Sequence, residues 1–502
     1  MCENRNYNVI IIGAGAVGCA VARQLSQFDL DVLVLEKDSD VAGETSGRNS
    51  AVVHAGFNNK PGSLMARLCV EGNEEFQSLC EKLDVPYHKT GKLVVALEES
   101  DVPAIEKLYE QGVANGCKNL RIIDSDEVSR LVPGVCAYRA LYSPETAITS
   151  PFLYTVALAE NAALNGVKFC FNSEVKSIKH EWDGELRARE AGEAYDPFAV
   201  ITRTEEYHAE TIINCAGLSS DVISAMAGFD NYQIYPCRGE YYILDVDEEN
   251  ILPMPVYPAP RTGIGGLGVH LTPTIEGNVI IGPSAEYIGE ADNYSTTSAV
   301  MSKLRSEAIE LMPDIKELRP IGNYAGIRPK QAPPGEGGYY DFVIKDELGN
   351  DRNAAFINLI GIESPGLTAS IPIANRVVDL LRSKLKLQEK SNWQENRQGI
   401  VRFRDLTPDK QQELIKSDPT YGDIVCRCRK ITRGEIRDAI ENPLGVKTFG
   451  GIKYRTWTST GRCNGGYCLP KIAEMLVKDY GIKPEEIKYR NDGSNMFEGM
   501  VK

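Results

Sequence analysis

Two constellations in this 502-residue chain have residue types and spacings that could do chemistry. The first is Gly13, Gly15 and Gly18, in G-x-G-x-x-G spacing directly after the apolar run Val9 to Ile12. Each glycine has a physical role: a tight turn, a close approach of backbone to a pyrophosphate, and close packing of the next helix on the strand. That helix, expected from about Ala16 to Phe28, aims its unpaired amides and positive dipole end at the phosphates. A second strand, Asp31 to Leu35, ends in Glu36, eighteen residues past Gly18. A carboxylate there can hold a ribose hydroxyl pair, where an arginine would suggest a 2′-phosphate. Strand, turn, helix, strand and acid in this order describe an adenine-dinucleotide site, and leave NAD and FAD both open.

The second constellation is Cys426-Arg-Cys428 with Cys463-Asn-Gly-Gly-Tyr-Cys468. Four thiolates in two short clusters can hold a [2Fe-2S] cluster or a zinc ion. Paired zinc ligands usually stand two or more residues apart, and the first pair here has one residue between, which favours iron–sulfur. Gly461, Gly465 and Gly466 let backbone amides crowd towards inorganic sulfides.

Acid–base candidates are few, because the chain has only five histidines. His180 and His208 lie in polar stretches and read as solvated. His54 lies in a polar loop after the dinucleotide fingerprint, and His270 lies between Gly-Val and Leu-Thr-Pro. Either can take a substrate proton or make a structural hydrogen bond. Arg328, between Gly-Ile and Pro-Lys, is the candidate for gripping a substrate anion bidentately; the alternative is an ion pair within the body. Arg238, Tyr241 and Lys330 are assigned to the same pocket.

These groups need elements to position them. The polar loop 41–59 carries small residues and hydroxyls that can approach a flat ring, and a helix is expected from about Ser63 to Leu83. Strands are read at Tyr87–Leu97 and Ala137–Tyr142 around a helical excursion from about Asp101 to Leu131. A helix over Pro151–Asn165 and a strand over Val167–Phe171 follow. Thr211 to Asp221 runs a buried strand into Ala-Gly and a Ser-rich helix start, a second possible backbone contact to the nucleotide. Short β-rich runs from Tyr232 to Ile288 predict an antiparallel sheet, followed by a helix near Thr296–Leu311. Ala354 to Leu381 repeats the strand, Gly-rich turn, helix grammar. Residues 383–418 read as a polar linker with one helix, capped by Thr407 and opened by Pro408.

The length calls for two or three domains. Net charge is −15, which argues against nucleic acid as the main partner. Residues 421–502 carry 15 Lys and Arg against 10 Asp and Glu, leaving a body of −20. This asymmetry fits a tail docked on an acidic body. No basic leader or membrane span is read, and nine of thirteen cysteines are scattered singly, as free thiols in a reducing cytoplasm would be.

GAGAVG with Glu36, SGRNSAVVHAGFNNKPGSLMARLCVEGN, PCRGEYYIL, GVHLTPTIEGNVIIGP, NYAGIRPK and GIESPGLTASIPIAN closely resemble the D-amino-acid-oxidase-like FAD superfamily. Within it they look most like the branch of L-2-hydroxyglutarate dehydrogenases and the anaerobic glycerol-3-phosphate dehydrogenase catalytic subunit. CRCRKITRGEIRDAI with TSTGRCNGGYC resembles the [2Fe-2S] domain related to bacterioferritin-associated ferredoxin. The resemblance implies an α/β Rossmann-like FAD-binding domain, an α+β antiparallel-sheet substrate domain and a small C-terminal helical iron–sulfur domain. The boundaries expected are 1–86, 146–220 and 330–385 for FAD, 87–145 and 221–329 for substrate, a linker over 386–420, and 421–502 for the cluster. It implies FAD pyrophosphate at Gly13, Gly15 and Gly18, ribose at Glu36, and flavin-side contacts from Thr45, Ser46, Arg48 and Asn49. Val175 is implied near adenine, Ala216 and Gly217 near pyrophosphate, and the turn with Gly361, Gly366 and Leu367 under the isoalloxazine. Cys426, Cys428, Cys463 and Cys468 become cluster ligands.

The activity implied is oxidation of a small anionic alcohol, L-2-hydroxyglutarate or sn-glycerol 3-phosphate, with electrons passing through the cluster to a redox partner. His270 in GVHLTP points to the first substrate and the fused cluster domain to the second. Amino or imino acid oxidation, or a non-catalytic electron-transfer subunit, are the alternatives.

Overall fold

The computed structural model describes residues 5–180, 197–245, 252–260, 268–317, 319–336, 338–349 and 354–499. Strand Asn6–Ile12 lies between Val32–Leu35 and Glu206–Asn214, with Lys168–Cys170 and Ala355–Ile360 outside them, all paired in parallel. An antiparallel extension, Phe198–Thr202 with Val175–His180, pairs with the first half of Glu206–Asn214. Alternation along the central strands feeds two cores. Val9, Ile11 and Val34 face the helices Ala16–Leu25, Leu64–Leu83, Pro151–Leu164 and Ser370–Leu381, while Ile10, Ile12, Leu33 and Leu35 face the extension and helix Ser220–Met226. Burial on both faces explains why these strands read as unbroken apolar runs. Full burial of one such side chain contributes about 1.5–3 kcal/mol.

A second sheet of nine strands is built on a long antiparallel ladder between Tyr235–Leu244 and Pro320–Lys330. Val279–Gly282, His270–Pro273, Val256–Pro258, Leu93–Ala96, Arg139–Tyr142 and Arg121–Asp124 extend it. The expected antiparallel character holds except at one interior junction, where Val256–Pro258 runs parallel to Leu93–Ala96. The stretch 87–97 is two strands, not one. Gly91, at φ +75°, turns the chain between Tyr87–His88, which joins a small sheet with Ala147–Thr149 and Val52–Val53, and Leu93–Ala96 in the large one. The excursion expected as helical carries the edge strand Arg121–Asp124 between helices Val102–Ala114 and Ser125–Leu131.

The tail folds as a hairpin, Ile424–Cys426 with Ile431–Thr432, and helices Arg433–Ile440, Phe449–Thr456 and Cys468–Lys478 around Val425, Ile436, Phe449, Ile452 and Leu476. Thr432 and Glu435 close a reciprocal capping box on the first of these helices.

The segment read as a linker is tied to the body along its first half. Asp29 N donates to Gln388 O (2.8 Å), Trp393 Nε1 to Ser26 Oγ (3.1 Å), and Arg397 Nε to Glu160 (2.8 Å). Polar residues that look solvated in the sequence are here used as partners for helix ends. Pro408–Ser417 is helical with Thr407 at its N-cap, although the Thr407 side chain makes no capping hydrogen bond.

The acidic body and basic tail meet as their charges suggest. Arg455, fully buried, bonds Asp40 (2.7 Å) and Glu160 (2.9 Å) across the interface, and Arg404–Glu276 (2.5 Å) and Arg462–Asp245 (3.0 Å) add to it. Eleven described cysteines are free thiols; Cys170, expected to be one, is disulfide-bonded. No helix among the described residues is long and apolar enough to cross a membrane.

Candidate active site and cluster centre

The parallel strands deliver their carboxyl ends to one edge of the sheet, the usual place for a ligand in such a fold. A continuous cavity of about 680 Å³ opens there. Gly13 (φ +104°) begins the turn, and a Cβ on it would lie 2.5 Å from Cys215 O, so only glycine fits. A Cβ on Gly15 would press on Ser46 Oγ, which accepts the Ala16 amide (2.8 Å). Gly18 lies behind the cavity wall, its Cα so close to Gly13 O that helix and strand touch through backbone.

Glu36 lines the cavity and accepts the amides of Ala14 (2.7 Å) and Asp38 (2.9 Å). Burial pushes its carboxyl up to about 7, against those two amide hydrogen bonds. Val175, Ala216 and Gly217 complete this end, and Gly366 and Leu367 line the opposite one. Gly361 does not reach the cavity. Its φ of +68° turns the chain against the Gln331 side chain, which fills the place of its missing Cβ.

The loop after Glu36 is held mainly by its own polar groups. Thr45 Oγ1 donates to Ile327 O (2.7 Å), and Asn49 Nδ2 donates to Ser46 O (2.9 Å). Arg48 donates to Gly43 O (3.2 Å) and lies over the Tyr294 ring. All four of Thr45, Ser46, Arg48 and Asn49 face the cavity, so they both shape the loop and line the space. Gly326 lets the second sheet close on this loop, because a Cβ there would stand 2.0 Å from Arg48 O.

At the far end His54, Tyr241, His270, Arg328 and Lys330 share the cavity. Arg328 donates to Ser284 O (3.1 Å) and has no carboxylate ion-pair partner among the described residues. Lys330 is neutralised by a buried pair with Glu363, both oxygens at 3.1 Å. Arg238 is a correction: it does not line the cavity, because its guanidinium is committed to Glu240 (3.4 Å) and Glu286 (2.9 Å). Burial, then the charge of Lys92, pushes the His54 imidazole down to about 3, and the same two causes hold His270 well below its usual value. His270 Nδ1 contacts Gly268 O (3.1 Å), and its Nε2 is buried without a hydrogen-bond partner among the described residues. His180 is exposed and His208 pairs with Glu206 (3.4 Å), in keeping with surface roles.

Lys92, Tyr257, Glu363 and Thr368 were not legible as site residues. Thr368 Oγ1 accepts the His54 amide (3.0 Å) and ties the two loops together. Only Lys92 carried a signal, as a lone charge opening the apolar run Leu-Val-Val-Ala.

In the tail, the four cysteines converge as two pairs. Cys428 Sγ lies 3.4 Å from Cys463 Sγ, and Cys426 shares a hydrogen bond with Cys468. That bond and Ser459, whose Oγ lies 3.2 Å from Cys468 Sγ, pull the Cys468 thiol down to about 6. Cys426 and Cys468 are buried, whereas Cys428 is exposed. Gly461 allows this convergence, since a Cβ there would lie 2.4 Å from Cys428 Cβ. Among the described residues no group of three or more His, Cys, Asp or Glu side chains forms a single-ion site. Two thiol pairs match two irons, each taking two thiolates.

A family model described as FAD dependent oxidoreductase matches residues 8–380, and one for a BFD-like [2Fe-2S] binding domain matches residues 424–478. Glycerol 3-phosphate dehydrogenase of Caloramator mitchellensis is 36% identical over 499 residues, 99% of each chain. The mitochondrial L-2-hydroxyglutarate dehydrogenase of Caenorhabditis elegans is 36% identical over 302 residues, 59% of this chain and 68% of its own. The solved L-alpha-glycerophosphate oxidase of Mycoplasma pneumoniae, with FAD bound, is 28% identical at a TM-score of 0.69, covering 78% of this chain and 98% of that one. With FAD and a [2Fe-2S] cluster as its cofactors, the chain belongs to the FAD dependent oxidoreductase family, as a dehydrogenase fused to a BFD-like iron–sulfur domain.

Proposed function

We propose that the protein oxidises sn-glycerol 3-phosphate at its secondary alcohol and passes the electrons to a separate redox partner. The observation that carries this reading is Arg328, a cavity guanidinium with no carboxylate ion pair among the described residues, beside two imidazoles held neutral. An anionic substrate group supplies the missing counter-charge in bidentate geometry. His54 or His270 takes the hydroxyl proton, which a neutral imidazole can do and an imidazolium cannot. When bound, FAD accepts the hydride and the cluster carries electrons onward singly.

The chain's own residues fit both groups. Gly13 and Gly15 leave a cradle that a Cβ would fill, Glu36 offers lone pairs to ribose hydroxyls, and Cys426 with Cys468 and Cys428 with Cys463 are the proposed iron ligands. Residues 1–86, 146–220 and 330–385 form the FAD-binding part in this reading, and 87–145 with 221–329 the substrate part. Glycerol 3-phosphate is preferred because the dehydrogenase bearing that name matches along 99% of the chain, the cysteine tail included. His270 within Gly-Val-His-Leu-Thr-Pro supports a second reading, L-2-hydroxyglutarate.

Anaerobic bleaching of the purified holoenzyme tests this against glycerol 3-phosphate, L-2-hydroxyglutarate, lactate and hydroxyproline. Bleaching by glycerol 3-phosphate at the lowest concentration is expected, and none with that substrate refutes the assignment. Arg328→Ala should raise KM by about 30-fold or more with flavin retained. An unchanged KM removes the anion-grip role.

A further inference from the structure

Lys92, immediately before strand Leu93–Ala96, is 1% exposed, and its ammonium has no hydrogen-bond partner among the described residues. Such a charge is costly to bury and needs a reason. It lies outside the cavity lining and so does not touch substrate. Its Nζ stands 3.5 Å from the centre of the Tyr257 ring and 5.1 Å from that of Phe57. The His270 imidazole stacks on the same Tyr257 ring at 3.6 Å, inclined by 10°. Two groups that close to one ring centre cannot share a face without colliding, so Tyr257 is sandwiched between ammonium and imidazole, about 7 Å apart.

We propose that Lys92 is a positioning residue, a cation set behind Tyr257 that acts with burial to keep the His270 imidazole neutral and able to accept the substrate's hydroxyl proton. This rests on the alcohol-oxidising reading above. Tyr257 keeps the ammonium from hydrogen-bonding to the imidazole, and its π face stabilises the cation without removing the charge. The charge therefore acts on His270 through space.

The other groups facing this stack leave the ammonium unbalanced. Cys69, whose thiol burial pushes up out of the physiological range, remains uncharged beside Lys92, and Cys117 next to Cys69 is likewise pushed up to about 12. Tyr257, whose hydroxyl is pushed well up by burial, is neutral, as are Tyr241 and Tyr339 nearby. Arg328, the remaining cation near His270, acts in the same direction and is neutralised when an anionic substrate binds. Lys92 is the charge that persists in the complex. Burial pushes the ammonium down to about 7, so it is largely protonated below that pH, where a free imidazole would take up its proton.

At about 7 Å, in the effective dielectric of a protein site, one charge moves the protonation midpoint of an imidazole by about one to two pH units. Lys92→Met keeps length and loses charge. In the flavin-loaded variant the acid limb of kcat/KM against pH should move up by about one to two units, with activity retained on the alkaline side. A limb at its original place, or uniform loss of activity at every pH, overturns the proposal. Lys92→Arg, which keeps the charge, should keep the wild-type limb. An independent measurement needs no substrate. In wild-type protein labelled at histidine, with the resonance assigned from His270→Gln, His270 should not titrate near the ordinary value of about 6.5. Ordinary titration of His270 overturns the proposal. A substrate panel that fails to bleach the flavin while His270 stays neutral refutes the proposed function instead.

Discussion

Replacing Arg455 with methionine should loosen the cluster domain from the body, and the size of the effect follows from burial. Arg455 is 0% exposed and stands between Asp40 and Glu160, at 9% and 5%. Glu160 keeps a second cation, Arg397, whose NH2 lies 2.5 Å away. Asp40 has no second cation in the network, so the variant strands one carboxylate in the interface. Removing one partner of a buried pair costs about 3–5 kcal/mol. At 1.4 kcal/mol per decade, the undocked population rises by about 100- to 4,000-fold. Native-state hydrogen exchange reads this directly. The Ser39 amide, which donates to Asn491 Oδ1 across the docking surface, should exchange faster by that factor. Arg433→Ala is the control, since its pair with Asp479 is solvent-exposed on both sides and worth at most about 1 kcal/mol. Asp40→Asn placed on the Arg455→Met background should recover part of the loss by removing the stranded charge. Unchanged exchange in Arg455→Met would refute the claim that this network holds the domains together.

Glu36 should make the flavin-free protein pH-sensitive. Its folded carboxyl titrates at about 7 instead of the ordinary 4.5, so the stability it contributes is fully present below 4.5 and lost as pH rises through about 7. Urea midpoints of apoprotein should fall across that window in the wild type and much less in Glu36→Gln; parallel curves would remove the assignment. Arg238→Met should cost on the order of 3 kcal/mol by leaving the fully buried Glu240 without its cation. KM should stay within about twofold of wild type, because Arg238 does not line the cavity; a raised KM with full stability would reverse that conclusion.

The dinucleotide half of the site was legible because its chemistry is local. Gly13, Gly15, Gly18 and Glu36 sit within one strand–helix–strand unit, and each is required by a backbone approach that sequence spacing encodes. The two cysteine clusters are legible from their spacing, but the pairs they form, Cys428 with Cys463 and Cys426 with Cys468, join one cluster to the other and depend on the fold of the tail. Arg238 and Arg328 look alike in sequence and differ only in partners that arrive from elsewhere, Glu286 for one and the open cavity for the other. Lys92 and Tyr257 are 165 residues apart and meet only where two strands pair in parallel, inside a sheet for which local pattern predicts the opposite direction. The bonding of the linker's first half to the body is not legible, because polar composition cannot distinguish a solvated segment from one whose polar groups partner another element.

The final turns of the chain bear on how the flavin is kept. Asn491 accepts the Ser39 amide (3.0 Å) and donates to Asp38 (2.7 Å), gripping the stretch directly after Glu36. Tyr454, stacked on Phe152, stands against Gly47 on the same loop. The loop that walls the nucleotide is thus fastened from outside by the iron–sulfur domain. Release of the tail would therefore take the Asn491 and Tyr454 contacts away from that loop together.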